Sequence, residues 1–329
     1  MVELVLQSRE SLRKKNATIA DYLAIARFHH STKHILIIPG MAFAYLLRGI
    51  HTTSPLAHIV LGLITAVCIA SGNYVINEWL DRDFDKYHPA KAQRSAVQRE
   101  LRGRIVLAEW LAFLVIGLGC AYMASKLMFL VACIFALQGV VYNVPPMRTK
   151  DKPYLDVISE SINNPLRLMI GWAMIDSTTL PPGSIILAYY LGGAFLMAAK
   201  RLSEYREIVA SQGKAILVQY RASFEGYTET SLNVSCFLYA MLSNFVLAVF
   251  LLKYRIEYLL LMPVIAILFS HYLALSMQSG SSAQNPEKLF RERRLMIMVL
   301  TLAALFLVTT FVNFPSLQVL TEQRFIVIP

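Results

Sequence analysis

Asn73, Asn77, Asp81 and Asp85 recur at every fourth position where an apolar stretch gives way to charge, within Ser71-Gly-Asn-Tyr-Val-Ile-Asn-Glu-Trp-Leu-Asp-Arg-Asp-Phe-Asp. Four-residue spacing stacks side chains on one helix face. A stripe of amide and carboxylate oxygens suits magnesium, which takes one or two carboxylates and fills its other positions with water and phosphate oxygens. Asn77, Asp81 and Asp85 form the expected metal set, with Asn73 one turn deeper, toward substrate. A solvated helix end is the plainer reading of this charge run. Asn73 and Asn77 weigh against it, because they fall inside the apolar stretch, where polar groups are costly and mark function. The stripe therefore predicts a magnesium diphosphate site at a membrane surface.

Bases follow the acids. Lys86, His88, Lys91 and Arg94 come next in the chain, and fixed cations there can neutralise phosphate charge that a metal does not reach. A second group, Tyr142, Arg148 and Lys150, flanks the stiff pair Pro145-Pro146; these residues contact an anion or serve only as a basic membrane-side anchor. Asp156, Glu160, Asn163 and Arg167 share one helix face, with Asn164 beside them, and inside a span that face turns toward the bundle interior. They bind substrate or pair among themselves; both readings stay open. Lys200, Arg201 and Glu204 close a later apolar stretch, where salt bridging alone would also account for them. Arg221, Ser223 and Tyr227 give a weaker signal. His29, His30, Lys33 and His34 approach the first span; histidines this dense can bind metal, but with no cysteine or ordered carboxylate beside them they read as interfacial anchors, with Lys33 also placed to reach a phosphate.

The elements that must position these groups are membrane spans. The 329 residues are 56% hydrophobic with a mean hydropathy of +0.52, more than a soluble core requires. Stretches long enough to cross a bilayer are read at 35 to 50, 57 to 77, 105 to 124, 126 to 143, 155 to 176, 183 to 200, 233 to 252, 256 to 275 and 295 to 314. The expectation is an all-α, polytopic bundle of about nine transmembrane helices. With the N-terminus inside, twenty-five of the thirty-one Lys and Arg residues fall on the cytoplasmic side, as the positive-inside rule requires. Only Arg48, Lys126, Lys253, Arg255 and Arg324 fall outside, and Arg167 lies within a span. The net charge of +10 then reports orientation and attraction to anionic lipid, not nucleic acid. Cys68, Cys120, Cys133 and Cys236 all lie in spans, without zinc or redox spacing. The charged leader shows no cleavable signal peptide. One membrane domain is expected over 1–329, with an interfacial leader at 1–34 and cytoplasmic cap loops at 78–104 and 201–230.

Asn77-Glu-Trp-Leu-Asp-Arg-Asp-Phe-Asp resembles the first aspartate-rich motif of the UbiA superfamily of intramembrane prenyltransferases, written N-D-x-x-D-x-x-x-D, with Glu78 in place of the first aspartate. The resemblance extends over nearly the whole chain. It implies nine helices, a polar cap on the cytoplasmic side and a lateral opening for a lipid tail. His88-Pro-Ala-Lys91, Lys200-Arg201-x-x-Glu204 and Arg221-x-Ser223-x-x-x-Tyr227-Thr228, with the early Arg27 and Lys33, are most similar to the branch that moves phosphoribose from phosphoribosyl diphosphate to a polyprenyl phosphate. Aromatic prenyltransferases of the superfamily end the sixth span in a D-x-x-x-D motif, where this chain has Lys200-Arg-Leu-Ser-Glu; it also has Arg94-Ser95 where many relatives carry Arg-Pro.

The resemblance implies an Mg2+-dependent transferase of the cytoplasmic membrane with Asp81, Asp85 and Glu204 as catalytic residues. Its expected partners are an isoprenoid or other lipid, a phosphoribosyl or prenyl diphosphate and membrane lipids, with self-association left open. Prenyl transfer to an aromatic or other small acceptor is the alternative. A transporter remains a reading of another class, disfavoured because the charges collect at the rim and not at the bilayer midplane.

Overall fold

The computed structural model describes residues 15–278 and 291–320, together with 280, 281, 283 and 289. Of the basic residues in the topology argument, Arg9, Arg13, Lys14, Lys288 and Arg324 lie outside the described residues, as do the side chains of Lys15 and His30.

Helix α1 (Ile19–Ile25) starts at Thr18, whose side chain and Asp21 form a capping box, with Thr18 N donating to Asp21 Oδ2 at 2.9 Å. A 3-10 segment, Phe28–Ile37, leads into α2 (Ile38–Arg48). Next comes α3 (Pro55–Asp85), 31 residues long. At 1.5 Å per residue it measures roughly 46 Å, well beyond the apolar thickness of a bilayer. Its last turns must therefore emerge, and they carry the acidic stripe. The chain continues through α4 (Gly103–Ala124), α5 (Lys126–Asn143), α6 (Leu155–Ser161), α7 (Asn163–Ile175), α8 (Gly183–Gln212), α9 (Lys214–Tyr220), α10 (Glu229–Leu252), α11 (Leu261–Ser276) and α12 (Arg293–Phe311). Besides the helices, a two-residue parallel pairing of Lys15–Asn16 with Arg99–Glu100 ties the leader to the loop after α3, and a single bridge joins His51 to Asp176.

Seven of these helices, one lengthened by the 3-10 turn before α11, are long and apolar enough to span a membrane. This is a multi-pass membrane protein. The other two expected spans, 35–50 and 155–176, are composite. The first joins the end of the 3-10 segment to the 11-residue α2. The second divides at Ile162 into α6 and α7. Pro165 explains the division: lacking an N–H, it cannot bond the Ser161 carbonyl four residues back. Asn164 Nδ2 donates to that carbonyl instead, at 3.4 Å. The two composite spans pack backbone to backbone, since a Cβ on Gly40 would collide with the Leu168 carbonyl and one on Gly171 with the Ile37 carbonyl.

Two apolar clusters flank the polar end of the bundle. One joins α2, α3, α5 and α7 around Ile69, Met128, Phe135 and Trp172; the other joins α8, α10 and α11 around Phe195, Leu232 and Tyr272. Val115, Tyr122, Leu300 and Phe311 stay largely exposed, as side chains that face lipid do.

Candidate functional site

The emergent turns of α3 hold the acidic stripe against the end of α5. Asn77 Nδ2 donates to Asn143 Oδ1 at 2.5 Å and, more weakly, to Asp81 Oδ2 at 3.3 Å. Asp81 Oδ1 lies 2.5 Å from Lys150 Nζ and 2.9 Å from Arg148 Nη2, while Arg94 pairs with Asp85. Asn73 Nδ2 donates to the Phe135 carbonyl at 3.1 Å, which fixes the orientation of the amide and leaves its buried Oδ1 without a partner. A Cβ on Gly139 would collide with that oxygen, so the glycine makes room for it. Glu78 turns away from the stripe to Arg27 Nε at 2.5 Å.

A second polar group faces the first from α8. Glu204 is held by Arg201 Nη1 at 3.0 Å and Lys91 Nζ at 3.3 Å, so a loop distant in sequence joins the i, i+3 pair that helical spacing predicts. Lys91 also donates to the Tyr220 hydroxyl and sits 4.2 Å from that ring's centroid. Arg201, fully buried, continues to Asp156 at 2.8 Å and Glu160 at 3.4 Å. Tyr142 donates its hydroxyl proton to Glu160 at 2.7 Å and accepts from Arg221 Nη1 at 3.2 Å.

Of these residues, all but Phe135, Arg148, Lys150 and Asp156 line a polar cavity of about 470 Å3. Seven cations (Arg27, Lys33, Lys91, Arg94, Lys200, Arg201, Arg221) face five carboxylates (Glu78, Asp81, Asp85, Glu160, Glu204) on its wall, so the net charge favours an anionic ligand. An apolar groove of about 750 Å3 adjoins it, lined by Leu36, Leu196, Met197, Met296 and Leu300 among others. Lys33, Asn73, Tyr74, Glu160, Asn163 and Lys200 belong to both walls and mark the junction.

The expected residues thus fall into three places. Lys33, Asn73, Asn77, Asp81, Asp85, Lys91, Arg94, Tyr142, Glu160, Lys200, Arg201, Glu204 and Arg221 reach the polar cavity. Asn164 and Arg167 line the groove alone; Arg167 bonds the Asn163 carbonyl at 3.1 Å and lies over Phe135. Arg148, Lys150, Asp156 and Tyr227 stand behind the polar wall. Asp156, with no exposed surface, accepts from Tyr227 at 2.7 Å, Ser223 at 3.1 Å and Arg201, which is the internally paired arrangement. Asn143, Tyr220 and Gln138 also line the site and were not singled out by sequence; a polar residue closing an apolar span was the available signal for Asn143.

Residues 36–298 match the family model described as the UbiA prenyltransferase family. The chain belongs to this family. It is 26% identical over 191 residues to nodulation protein NoeC of Azorhizobium caulinodans, covering 57% of this chain and 58% of that protein. It is 24% identical over 210 residues to protoheme IX farnesyltransferase of Bacillus mycoides, covering 62% and 68%. The structure of a UbiA homologue from Archaeoglobus fulgidus bound to GPP and Mg2+ matches with a TM-score of 0.66, at 23% identity, over 88% of this chain and 99% of that one.

In this UbiA-family chain the loops that close over the cavity have perturbed protonation. Burial pulls the Lys91 ammonium down to about 7, with Glu204 opposing. It pulls Lys150 to about 8, with Asp81 opposing. Burial and the neighbouring Lys91 charge take His88 to about 3, so the ring is neutral at physiological pH. Burial also disfavours the Arg221 charge, but Tyr142, Glu204 and Asp156 overcome that and raise its pKa well above the usual value.

Proposed function

We propose that this UbiA-family chain is an Mg2+-dependent intramembrane transferase that cleaves a diphosphate donor, and that it transfers phosphoribose from phosphoribosyl diphosphate to a polyprenyl phosphate. The observation that carries the reading is the far wall of the polar cavity. Where aromatic prenyltransferases of the superfamily place a second aspartate-rich motif, Lys200, Arg201 and Arg221, with Lys91 reaching in from the loop, outnumber the two cavity-lining carboxylates, Glu204 and Glu160. That wall suits a second phosphate group, not a second metal. Its continuity with the apolar groove through Lys33 and Lys200 suits a phosphate that carries a hydrocarbon tail.

The first wall fits a magnesium ion. Asp81 and Asp85 would supply carboxylate oxygens and Asn77 an amide oxygen, while Asn73, about two turns from Asp81, lies toward the substrate with its buried Oδ1 free of a partner. When bound, the metal neutralises charge on the leaving diphosphate. The protein's own part is orientation and charge. Lys91 and Arg94 hold the donor diphosphate from the loop, with Lys150 and Arg148 reinforcing the wall through Asp81. Lys200, Arg201 and Arg221 hold the acceptor phosphate beside it. The bond from the ribose anomeric carbon to the diphosphate oxygen breaks, a bond to the lipid phosphate oxygen forms, and diphosphate departs. Two fixed anion sites set those atoms in line, and no protein nucleophile is needed. The polar cap is assigned to the cytoplasmic side of the cytoplasmic membrane, with the N-terminus inside, on the distribution of Lys and Arg.

A second reading, prenyl transfer from a prenyl diphosphate to a small acceptor, is favoured by the name of the Bacillus mycoides relative and by the GPP bound to the Archaeoglobus fulgidus homologue. Purified protein with Mg2+ separates the two. One arm receives phosphoribosyl diphosphate with a polyprenyl phosphate, the other geranyl diphosphate with protohaem or an aromatic acid, and the lipid product is identified by mass. A phosphoribosylated lipid supports the first reading; product in the second arm alone replaces it.

A further inference from the structure

His88 sits at the turn between α3 and the basic loop, only 5% exposed, with its ring edge-on to Tyr220 at 4.6 Å between centroids. Its Nδ1 faces two backbone N–H groups, those of Ala90 at 3.1 Å and Lys91 at 3.3 Å. Both are donors, so Nδ1 must be the acceptor, and the proton of the neutral ring therefore resides on Nε2. That N–H is buried and has no hydrogen-bond partner in the protein, although His88 lines the polar cavity. A buried donor left unmade destabilises the fold. The loop backbone nonetheless holds the ring in the one tautomer that carries a proton on this unpartnered nitrogen, beside the cavity that His88 lines.

We propose that His88 is a diphosphate-binding residue that gives an uncharged N–H to a non-bridging oxygen of the donor, with its tautomer set by the Ala90 and Lys91 amides. The cavity already holds seven cations, each of which leaves bulk water at a cost when buried. A neutral donor adds direction without adding charge. Its place three residues before Lys91 and six before Arg94 puts it on the same short loop as two anion-holding cations, so the loop would close on phosphate as one unit. The assignment rests on the proposed function only in taking the donor to be a diphosphate.

Its test uses inorganic diphosphate with Mg2+ as probe, titrated calorimetrically into the detergent-solubilised protein. His88→Asn keeps an acceptor oxygen for the loop amides but has no donor at the Nε2 position. It is expected to keep the wild-type melting temperature without ligand and to bind diphosphate about tenfold more weakly. His88→Gln, which reaches the Nε2 position with an amide N–H, should recover part of that affinity. In 15N-histidine-labelled protein the His88 Nε2–H signal should move downfield when diphosphate is added. Wild-type affinity in His88→Asn, or an unmoved signal on saturation, would overturn the assignment while leaving the diphosphate site intact. Failure of the wild-type protein to bind Mg2+-diphosphate at all would overturn both the assignment and the reading beneath it.

Discussion

Arg27 Nε lies 2.5 Å from Glu78 Oε2, and this buried pair fastens the N-terminal segment to the helix that carries the acidic stripe. Arg27 adopts a left-handed backbone conformation, φ 50°, to reach it. Glu78 is also where the chain departs from the aspartate of the family motif. Glu78→Gln or Arg27→Met should each cost about 3 kcal/mol, because one charge is left buried and unpaired. The double Arg27→Met/Glu78→Met variant should regain much of that loss. Thermal unfolding of the four proteins in one detergent measures the coupling; additive losses would show that the pair does not act as a unit.

Asp81→Asn and Asp85→Asn are expected to lower Mg2+-dependent turnover by about 10²-fold or more, since each removes a charge placed to hold the metal and its diphosphate. Asp81→Asn should also loosen the fold, because Lys150, buried at 2% exposure, loses its counter-charge. Turnover across a magnesium titration checks the first effect and thermal unfolding the second. Normal activity in either variant would remove that carboxylate from the metal set.

Lys91 gives the site a pH dependence of calculable sign. Its ammonium titrates at about 7 in the folded chain, against 10.5 for an unperturbed lysine side chain. As pH rises through 7 the folded protein loses this charge, so affinity for diphosphate should fall between about pH 6 and 8. Between 7 and 10.5 the unfolded chain binds more protons at this position, so its contribution to stability grows with pH while anion affinity declines. Lys91→Arg, which stays charged, should flatten the binding profile. Diphosphate affinity measured from about pH 6 to 9 in both proteins tests this, and parallel profiles would exclude Lys91 as the titrating group.

Met197→Trp would fill the apolar groove without reaching the polar cavity. The KM for a long-tailed polyprenyl phosphate should rise about tenfold, and that for a short-tailed analogue much less, as expected when binding depends on apolar pocket volume. The KM for the diphosphate donor should stay unchanged. An equal effect on both acceptors would place the tail elsewhere.

Gly139→Ala tests the cradle around Asn73. The added methyl would collide with Asn73 Oδ1, and overpacking of this kind costs about 1–3 kcal/mol. The KM for the diphosphate donor should rise as stability falls; an unchanged KM would take Asn73 out of the site.

Much of the architecture was legible because lipid imposes it. A bilayer requires long apolar helices with every backbone group bonded within the segment, so the all-α bundle and its seven uninterrupted spans follow from hydropathy. The stripe of Asn73, Asn77, Asp81 and Asp85 was legible for a related reason: four-residue periodicity fixes a helix face whatever surrounds it. The divided span at Ile162 was less so: Pro165 stands in the sequence, but hydropathy alone reads 155–176 as one stretch.

Partnership across the bundle was decided by tertiary structure alone. Periodicity places Glu204 beside Arg201, but only packing brings Lys91, 113 residues away, to the same carboxylate. It likewise turns Asp156 and Tyr227 toward each other behind the wall, sends Arg167 to the groove, and places Asn143 between Asn77 and Lys150. The sequence determined which side chains carry charge and on which helix face they stand, since those are local properties of the chain. Which charges meet, and whether they meet across a cavity or within a wall, depended on the packing of distant helices, because Coulomb energy and desolvation are set by separation in space.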